Sequence, residues 1–368
     1  MLGRGVRTGL AILGSTGSIG QSTLNVIRRQ PRFRVVALTA NGSAAALHTQ
    51  VAEFRPAYHA LARTAGVGCL LEAATHPEAD IVVNAVVGAV GLEATLAALE
   101  AGKRVALANK ESLVTAGELV LAAAQRGGGE IIPIDSEHSA VLQCLAGGRA
   151  PLTRLTLTAS GGPFRTWATD RVAEATVEQA LNHPTWAMGR KITVDSATLA
   201  NKALEVIEAH HLFGLGYEAV EVVVHPQSII HALCGFADGS VLAQLGFPTM
   251  ELPILYALTY PERLPDEGVR RFDPVAAGPL TFEPVRHDAF PTFGLGVAAG
   301  RAGGTAPAVF NAANEVAVEA FLAGRITFGR IPAVIDATLA KHRPCPASTL
   351  EAVRGADQWA RITAAALC

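Results

Sequence analysis

The fold of this chain is decided by the stretch Gly9-Leu10-Ala11-Ile12-Leu13-Gly14-Ser15-Thr16-Gly17-Ser18-Ile19-Gly20. Its apolar first part, residues 9–13, is typical of a short buried strand, and a helical pattern follows over residues 21–30. Glycines at 14, 17 and 20 allow a tight turn and a close approach of the backbone. The stretch therefore predicts a strand, a turn and a helix whose first N–H groups and dipole face an anionic group.

The same alternation of strands and helices continues to residue 134. Strands are predicted at residues 34–40, 81–85, 104–108 and 130–134, and helices at residues 44–54, 92–101 and 116–125. Repeated β-α units with short connections favour a parallel, doubly wound sheet, and a glycine-rich turn at its first β-α junction favours dinucleotide binding. We therefore predict an α/β fold with a Rossmann-like dinucleotide-binding domain over residues 1–134.

The end of the second predicted strand indicates which dinucleotide is bound. A carboxylate at this place would bond the ribose 2′-hydroxyl of NAD, but the chain has Asn41-Gly42-Ser43. The missing acid favours the 2′-phosphate of NADPH. Since no Lys or Arg follows directly, the sequence also predicts a weakened discrimination between NADPH and NADH.

From residue 135 onward the pattern changes. Strand-like runs at residues 155–158, 219–224 and 240–245 mix with a helix that begins near Ser196, which predicts an α+β central catalytic domain over residues 135–260. Residues 261–290 are rich in proline and lack periodicity, so we expect a linker. Helical patterns near residues 293–302, 306–323, 331–341 and 348–366 predict a C-terminal helical bundle over residues 291–368.

The composition argues against several classes of function. The 368 residues carry a formal net charge of −2, which gives no electrostatic case for binding nucleic acid or a membrane surface. The most apolar segment, residues 81–99, is interrupted by polar residues and glycines and is not expected to span a membrane. The five scattered cysteines show no metal-ligand or redox spacing, so we expect a reduced, cytoplasmic protein.

Two acids, Asp135 and Glu137, follow the strand predicted at residues 130–134. Side chains two residues apart in an extended chain point the same way, so both carboxylates are expected to face one cation. Oxygen ligands suit Mg²⁺ or Mn²⁺ better than zinc. Glu205 is the best candidate for a third ligand. The competing interpretation is a solvated strand end or an acid pair at the N-terminus of a helix.

Residues 183–190 predict a mobile flap, because Trp186 and Met188 lie in a loop-like context between proline and glycine. The alternative is that Trp186 packs into the core.

The segment that follows the flap is dense in groups that bind phosphate. Ser196 is predicted to cap the helix that carries Asn201, Lys202 and Glu205. A hydroxyl, an amide and an ammonium group suit a phosphomonoester, and the loop at Ser160 is expected to complete the site. The alternative is a solvated helix face with an ordinary Lys–Glu pair, and a plain turn at residue 160.

Together these segments resemble the 1-deoxy-D-xylulose 5-phosphate reductoisomerases of the non-mevalonate isoprenoid pathway. The matching runs are GSTGSIG (14–20), LANKESLVTAG (107–117), DSEHSA (135–140), SGGPFR (160–165), HPTWAMGRKITVDSATLANKALEVIEA (183–209), HPQSIIHA (225–232), DGSVLAQLG (238–246) and NAANE (311–315). They span nearly the whole chain in the family's order. One departure lies after the second strand, where the family often shows a Gly-Lys-Asn-like stretch.

The resemblance implies a homodimer that rearranges 1-deoxy-D-xylulose 5-phosphate and reduces it with NADPH to 2-C-methyl-D-erythritol 4-phosphate. It implies a divalent cation, Mn²⁺ or Mg²⁺ with Co²⁺ as a further candidate, held by Asp135, Glu137 and Glu205. The implied cofactor contacts are Thr16, Gly17, Ser18, Ile19, Asn41, Gly42, Ser43, Asn109, Glu111 and Gly189. The implied substrate contacts are Lys110, Ser136, Glu137, Ser160, His183, Ser196, Asn201, Lys202 and Glu205, of which Lys110, Glu137 and Glu205 are expected to be catalytic.

Two other classes of function remain compatible with these residues. One is another NADP-dependent oxidoreductase of a small phosphorylated substrate, which would transfer hydride without a metal. The other is a non-catalytic NADP-binding sensor, which would bind the cofactor without turnover. The combination of phosphate-binding and metal-binding groups favours the reductoisomerase.

Overall fold

The computed structural model describes residues 7–147 and 150–368. The chain divides into two compact units. Unit 1 is built from the residues up to Ser112, from Val120–Ser139 and from Thr249–Arg270; unit 2 is built from Leu113–Leu119, Ala140–Pro248 and Arg271–Cys368.

Unit 1 contains a six-stranded parallel sheet with the order β3-β2-β1-β4-β5-β6. The strands are β1 (Thr8–Leu13), β2 (Phe33–Ala40), β3 (Tyr58–Leu61), β4 (Ile81–Asn84), β5 (Arg104–Leu107) and β6 (Glu130–Pro133). The central strands are apolar on both faces, and Leu10, Ala11 and Ile12 are fully buried. This strand order is that of the dinucleotide-binding fold, so the predicted α/β class is confirmed.

The first six helices alternate with these strands, as the sequence predicts. They are α1 (Ser18–Arg29), α2 (Ala44–Phe54), α3 (Ala62–Ala65), α4 (Gly68–Ala74), α5 (Leu92–Glu100) and α6 (Lys110–Gly127), with a 3₁₀ turn at Ala89–Gly91. Strand β3 and helices α3 and α4 were not predicted from the sequence. Strand β3 is four residues long and none of its side chains is fully buried, so it carries little hydrophobic periodicity.

Unit 2 contains a five-stranded mixed sheet with the order β10-β9-β7-β8-β11. The chain after β6 runs through α7 (Ser136–Leu145), β7 (Leu152–Ala159), α8 (Thr169–Val172), α9 (Val177–Leu181), α10 (Arg190–Ala197), α11 (Ala200–Phe213), a 3₁₀ turn (Tyr217–Ala219), β8 (Val220–Val224), β9 (Ile230–Phe236) and β10 (Val241–Leu245). Strands β7 and β8 are parallel, and β9 pairs antiparallel with both β7 and β10.

The rest of the chain is mainly helical. It forms α12 (Glu251–Thr259), α13 (Pro274–Ala277), β11 (Glu283–Pro284), α14 (Pro291–Ala302), α15 (Ala306–Leu322), α16 (Arg330–Lys341) and α17 (Leu350–Ala365). The four long C-terminal helices share a hydrophobic core with sheet β10-β9-β7-β8-β11. In this core Phe164 lies 5.1 Å from Phe328 between ring centroids, and Phe310 is fully buried.

Two segments differ from the predicted organisation. Helix α12 falls in the predicted central domain, but it packs on α1 of unit 1, where Arg29 pairs at 2.6 Å with both Glu251 and Asp266. The segment predicted as a linker contains β11, which extends the sheet of unit 2 by pairing with β8. Both contacts join residues far apart in sequence, so local patterns give no sign of them.

Candidate functional site

The glycine-rich turn between β1 and α1 has the geometry of an anion-binding helix N-terminus. Gly14 has φ +81°, and a Cβ at this position would lie 2.7 Å from the carbonyl oxygen of Ala85. A Cβ on Gly20 would lie 2.5 Å from the carbonyl oxygen of Gly14. Gly17 is the N-cap residue of α1 and has no side chain to accept from the first N–H groups. The N–H groups at the start of α1 therefore suit an anionic group, while the contacts of Thr16, Ser18 and Ile19 with a pyrophosphate stay a prediction.

Asn109 and Glu111 shape the loop that follows β4. The Asn109 amide donates to the carbonyl oxygens of Val86 and Gly88 at 2.8 and 2.9 Å. A Glu111 carboxylate oxygen accepts from the N–H of Gly88 at 3.1 Å. Both side chains are buried. They fix the backbone at the carboxyl end of the sheet, where dinucleotides bind in this fold.

The two acids of unit 1 lie at the start of α7, which corrects the predicted geometry. Strand β6 ends at Pro133 and α7 begins at Ser136, so Glu137 lies in the first turn of a helix. The expectation that Asp135 and Glu137 extend from a strand in the same direction is wrong. Only Ile134 and Asp135 separate β6 from the helix, and the Ser136 hydroxyl donates to the Glu137 carboxylate.

Asp135 lies beside a lysine and a histidine of unit 1. The Lys110 ammonium lies 2.6 Å from its carboxylate, and Nδ1 of His138 lies 3.7 Å away. Burial acts to raise the pKa of Asp135, but the Lys110 and His138 charges outweigh it and hold this pKa well below its usual range. Asp135 is therefore ionised at neutral pH. His138, which is fully buried, was not identified from the sequence, although it lies inside the DSEHSA run.

Ser160 and His183 are brought together in unit 2. Nδ1 of His183 accepts from the N–H groups of Thr185 and Trp186 at 3.1 and 2.9 Å, so in the neutral ring the proton lies on Nε2. Burial lowers the pKa of His183, which favours this neutral form. Nε2 lies 3.0 Å from the Ser160 hydroxyl, which also accepts from the N–H of Gly162 at 3.2 Å. The Ser160 O–H hydrogen is thus available to an anionic ligand.

The helix predicted to begin at Ser196 is two helices. Ser196 lies in the last turn of α10, and the N-cap of α11 is Leu199, a non-glycine residue with φ 58°. The prediction that Ser196 caps this helix is therefore wrong, because α10 already begins at Arg190. The loop after β7 reaches the same place, since a Cβ on Gly162 would lie 2.8 Å from the Ser196 carbonyl oxygen.

Asn201, Lys202 and Glu205 meet on α11. The Asn201 amide donates to one Glu205 oxygen and the Lys202 ammonium to the other. The Lys202 ammonium also donates to the carbonyl oxygen of Thr158 on β7 at 2.5 Å. Lys202 and Glu205 are both buried. This burial contradicts the alternative of a solvated helix face and favours a role in binding.

A further buried cluster on α10 was not identified from the sequence. Asp195 is 1% exposed, lies 2.8 Å from the Lys191 ammonium and accepts from the Asn314 amide on α15 at 2.8 Å. Asp195 thus ties α10, which carries Ser196, to the C-terminal helices. The NAANE run that contains Asn314 was the available signal, but its partner is 119 residues away in sequence.

Residues 183–190 form a loop without helix or strand up to the start of α10 at Arg190. Trp186 and Met188 are half-buried in it, and Gly189 is the N-cap residue of α10. The contact predicted between Gly189 and the cofactor stays a prediction. The hydrogen bond that His183 donates to the Ser160 hydroxyl connects the start of this loop to the Ser160 turn.

The sheet of unit 1 has the strand order of the dinucleotide-binding fold, which many oxidoreductases use. Family models narrow the class. A model described as 1-deoxy-D-xylulose 5-phosphate reductoisomerase matches residues 10–117, the C-terminal domain of that enzyme matches residues 131–213, and a model described as DXP reductoisomerase C-terminal domain matches residues 245–363. The chain therefore belongs to the 1-deoxy-D-xylulose 5-phosphate reductoisomerase family.

Individual relatives agree with this membership over the full chain. The chain is 52% identical to the 1-deoxy-D-xylulose 5-phosphate reductoisomerase of Ralstonia pickettii (strain 12J), covering 96% of this chain and 95% of the relative. The solved structure of the Zymomonas mobilis enzyme in complex with NADPH is similar with a TM-score of 0.90 and 41% identity, covering 98% and 99% of the two chains. A structure of DOX-P reductoisomerase in complex with NADPH, fosmidomycin and magnesium gives a TM-score of 0.91 at 40% identity, covering 98% of both chains.

Proposed function

We propose that this chain catalyses the isomerisation and reduction of 1-deoxy-D-xylulose 5-phosphate to 2-C-methyl-D-erythritol 4-phosphate, with NADPH and a divalent cation. The observation that carries the proposal is the 52% identity to a named reductoisomerase over 96% of the chain. The geometry of each unit supports it, because unit 1 has a dinucleotide-type sheet and unit 2 has a buried ammonium–carboxylate cluster beside the Ser160 turn.

Asp135, Glu137 and Glu205 would hold the cation. Carboxylate oxygens are the donors that Mg²⁺, Mn²⁺ and Co²⁺ accept in such sites, and the related structure in complex with magnesium supports a hard cation. In this structure two of these acids each pair with a lysine: Asp135 with Lys110, and Glu205 with Lys202. When bound, the cation would act as a Lewis acid on the substrate carbonyl and neighbouring hydroxyl oxygens.

The substrate phosphate would be bound by Ser160, Ser196, Asn201 and Lys202. Ser160 offers a hydroxyl hydrogen because its lone pairs already accept from His183 and Gly162. Lys202 offers a buried positive charge. Its attraction for a phosphate is stronger here than in water, because solvent does not screen it. Phosphate binding at a distance from the reacting carbon would help to order residues 183–190 and to exclude water.

The remaining predicted residues would orient the substrate and the cofactor. Lys110 and Ser136 would donate hydrogen bonds to substrate oxygens. The Lys110 ammonium, which pairs with Asp135 in this structure, would supply the donor. Thr16–Ile19 would hold the pyrophosphate, and Asn41, Gly42 and Ser43 the adenosine ribose. Asn109 and Glu111 would keep the loop after β4 in place along the cofactor, with Gly189 contributing from residues 183–190. NADPH would supply the hydride.

An absorbance assay at 340 nm tests the proposal directly. With 1-deoxy-D-xylulose 5-phosphate, NADPH and Mg²⁺ or Mn²⁺ we expect NADPH oxidation and formation of 2-C-methyl-D-erythritol 4-phosphate, both abolished by EDTA and restored by excess cation. Turnover that persists in EDTA would favour another NADP-dependent oxidoreductase. NADPH binding without turnover of this substrate would favour a sensor.

We also propose that the active form is a homodimer. Strand β10 lies at an edge of the sheet of unit 2, and its Val241 and Leu242 side chains are 59% and 38% exposed. An edge strand with exposed apolar side chains is a template for pairing with a second chain. Light scattering should give the mass of a dimer for the wild type and of a monomer for Val241→Lys/Leu242→Lys. A monomeric wild type would contradict this proposal.

We place the protein in the cytoplasm, as the sequence predicts. Its five cysteines are free thiols, three of them buried, which is typical of a reducing compartment. Within the described ranges, 7–147 and 150–368, helices that combine the length and apolar character needed to cross a membrane do not occur.

A further inference from the structure

The ends of β2 and β3 lie side by side at the carboxyl edge of the sheet. The two strands pair in parallel register, with Thr39 opposite Ala60 and Ala40 opposite Leu61. The pairing continues past both strands, because the N–H of Arg63 donates to the carbonyl oxygen of Asn41 at 3.1 Å. This hydrogen bond holds Arg63 beside the loop that follows β2.

The Arg63 guanidinium lies against the backbone of Gly42. A Cβ placed on Gly42 would lie 3.4 Å from Nη1, 3.5 Å from Cζ and 3.7 Å from Nε of Arg63. Three atoms of the planar group are therefore at similar distances from this point, so the guanidinium stands beside the loop of Asn41, Gly42 and Ser43. Both Arg63 and this loop are exposed.

Arg63 differs from most arginines of its unit in having no carboxylate partner within the described ranges. Six others in the described part of unit 1 are paired with an acid: Arg28, Arg29, Arg32, Arg34, Arg104 and Arg126. An arginine that is placed by backbone pairing and has no acid to balance it is suited to an external anion.

We propose that Arg63 binds the 2′-phosphate of NADPH and sets the preference of this chain for NADPH over NADH. In this fold the residues after β2 face the ribose 2′ position, and the chain has no acid there to repel a phosphate. The guanidinium fork matches a phosphate with two parallel hydrogen bonds. The helix dipole of α2, which begins at Ala44, favours negative charge at the same place.

This inference rests on the proposed NADPH dependence and changes one expectation drawn from the sequence. The lysine missing after β2 predicted weak discrimination between the two cofactors. Arg63 supplies the missing positive charge from α3, directly after the neighbouring strand β3, so we expect strong discrimination instead.

Cofactor binding, measured by fluorescence titration or calorimetry at fixed ionic strength, tests the role of Arg63. Arg63→Ala should raise the Kd of NADPH and of 2′,5′-ADP by about 10- to 100-fold, as expected for loss of a charge-assisted bidentate contact. The Kd of NADH should change by less than about two-fold, since NADH lacks the phosphate. Arg63→Lys should be intermediate. Arg7→Ala, which removes an exposed arginine just before β1, is the matched control and should change none of the three values.

Two results would overturn the inference: equal weakening of NADPH and NADH by Arg63→Ala, or no change in either. The first would mean that Arg63 only supports the loop, and the second that another group binds the phosphate. The binding measurements need no substrate. A wild type that does not convert 1-deoxy-D-xylulose 5-phosphate would therefore refute the proposed reaction while leaving the role of Arg63 to be decided by the three Kd values.

Discussion

The two phosphate sites proposed for this chain use different kinds of group. In unit 1 the turn at residues 14–20 offers backbone N–H groups at the start of α1, and its close contacts exclude any side chain at Gly14 and Gly20. In unit 2 the groups are side chains, namely the Ser160 hydroxyl, the Asn201 amide and the Lys202 ammonium. The first site therefore depends on close backbone approach, whereas the second depends on charge and on the partners that orient each side chain.

The largest effect is expected from Glu205→Gln, which removes a carboxylate that belongs both to the proposed phosphate site and to the proposed metal site. We expect metal-dependent turnover to fall by about 10³-fold or more, because a neutral amide is a poor ligand for a hard cation. The Kd of NADPH should stay within about two-fold, which also serves as the control for folding. Turnover close to that of the wild type would contradict the three-carboxylate site.

Lys202→Ala should lower kcat/KM for the phosphorylated substrate by about 10²-fold or more, since it removes a buried charge from the proposed phosphate site. Lys341→Ala, at an exposed lysine of α16 in the same unit, is the matched control and should leave kcat/KM unchanged. Equal values for the two variants would place Lys202 outside the phosphate site.

Gly20→Ala tests the backbone site. The added methyl group would lie 2.5 Å from backbone atoms of Gly14 and Ser15, so the turn must move. We expect the Kd of NADPH to rise by about 10-fold, measured by fluorescence titration. Gly68→Ala in α4 places its methyl group in open space and should leave the Kd unaltered. If both variants bind NADPH like the wild type, close packing at Gly20 is not needed for cofactor binding.

The smallest effect is expected from Asp195→Asn. The substitution keeps the size of the side chain but removes its negative charge. That charge pairs with the Lys191 ammonium, and the same carboxylate accepts a hydrogen bond from the Asn314 amide. We expect KM for the substrate to rise by about 3- to 10-fold and to rise more than KM for NADPH, because Asp195 adjoins Ser196 of the proposed phosphate site. Asp336→Asn on the exposed face of α16 is the control. A change in kcat alone would argue against a positioning role.

The sequence predicted most of the first sheet because its signals are local. Residues 9–20 combine a buried run with three glycines, and the structure confirms β1, the turn and α1 there. The mistakes at Glu137 and Ser196 concern helix starts, where both residue types are favoured in several places. Helix α7 begins at Ser136, where an extended strand end was predicted, and α10 begins at Arg190, before the helix start predicted at Ser196.

Other features depend on pairings between distant segments and leave no local pattern. Arg63 lies beside Gly42 only because β2 and β3 pair in a particular register, and β3 itself was not predicted. Asp195 meets Asn314 only because α10 and α15 share a core. The chemical types of these residues are visible in the sequence, but their partners are not.

The left-handed conformation of Leu199 has a geometric consequence for the proposed phosphate site. A continuous α-helix turns by about 100° per residue, so Ser196 and Asn201 would lie about 140° apart around its axis, and Ser196 and Lys202 about 120° apart. Such angles would send these side chains to different sides of one cylinder. The break at Leu199, with φ 58°, ends α10 and lets α11 take its own direction. Because of this one backbone conformation, the directions of Ser196 on α10 and of Asn201 and Lys202 on α11 are not fixed by the spacing of about 100° per residue in a single helix.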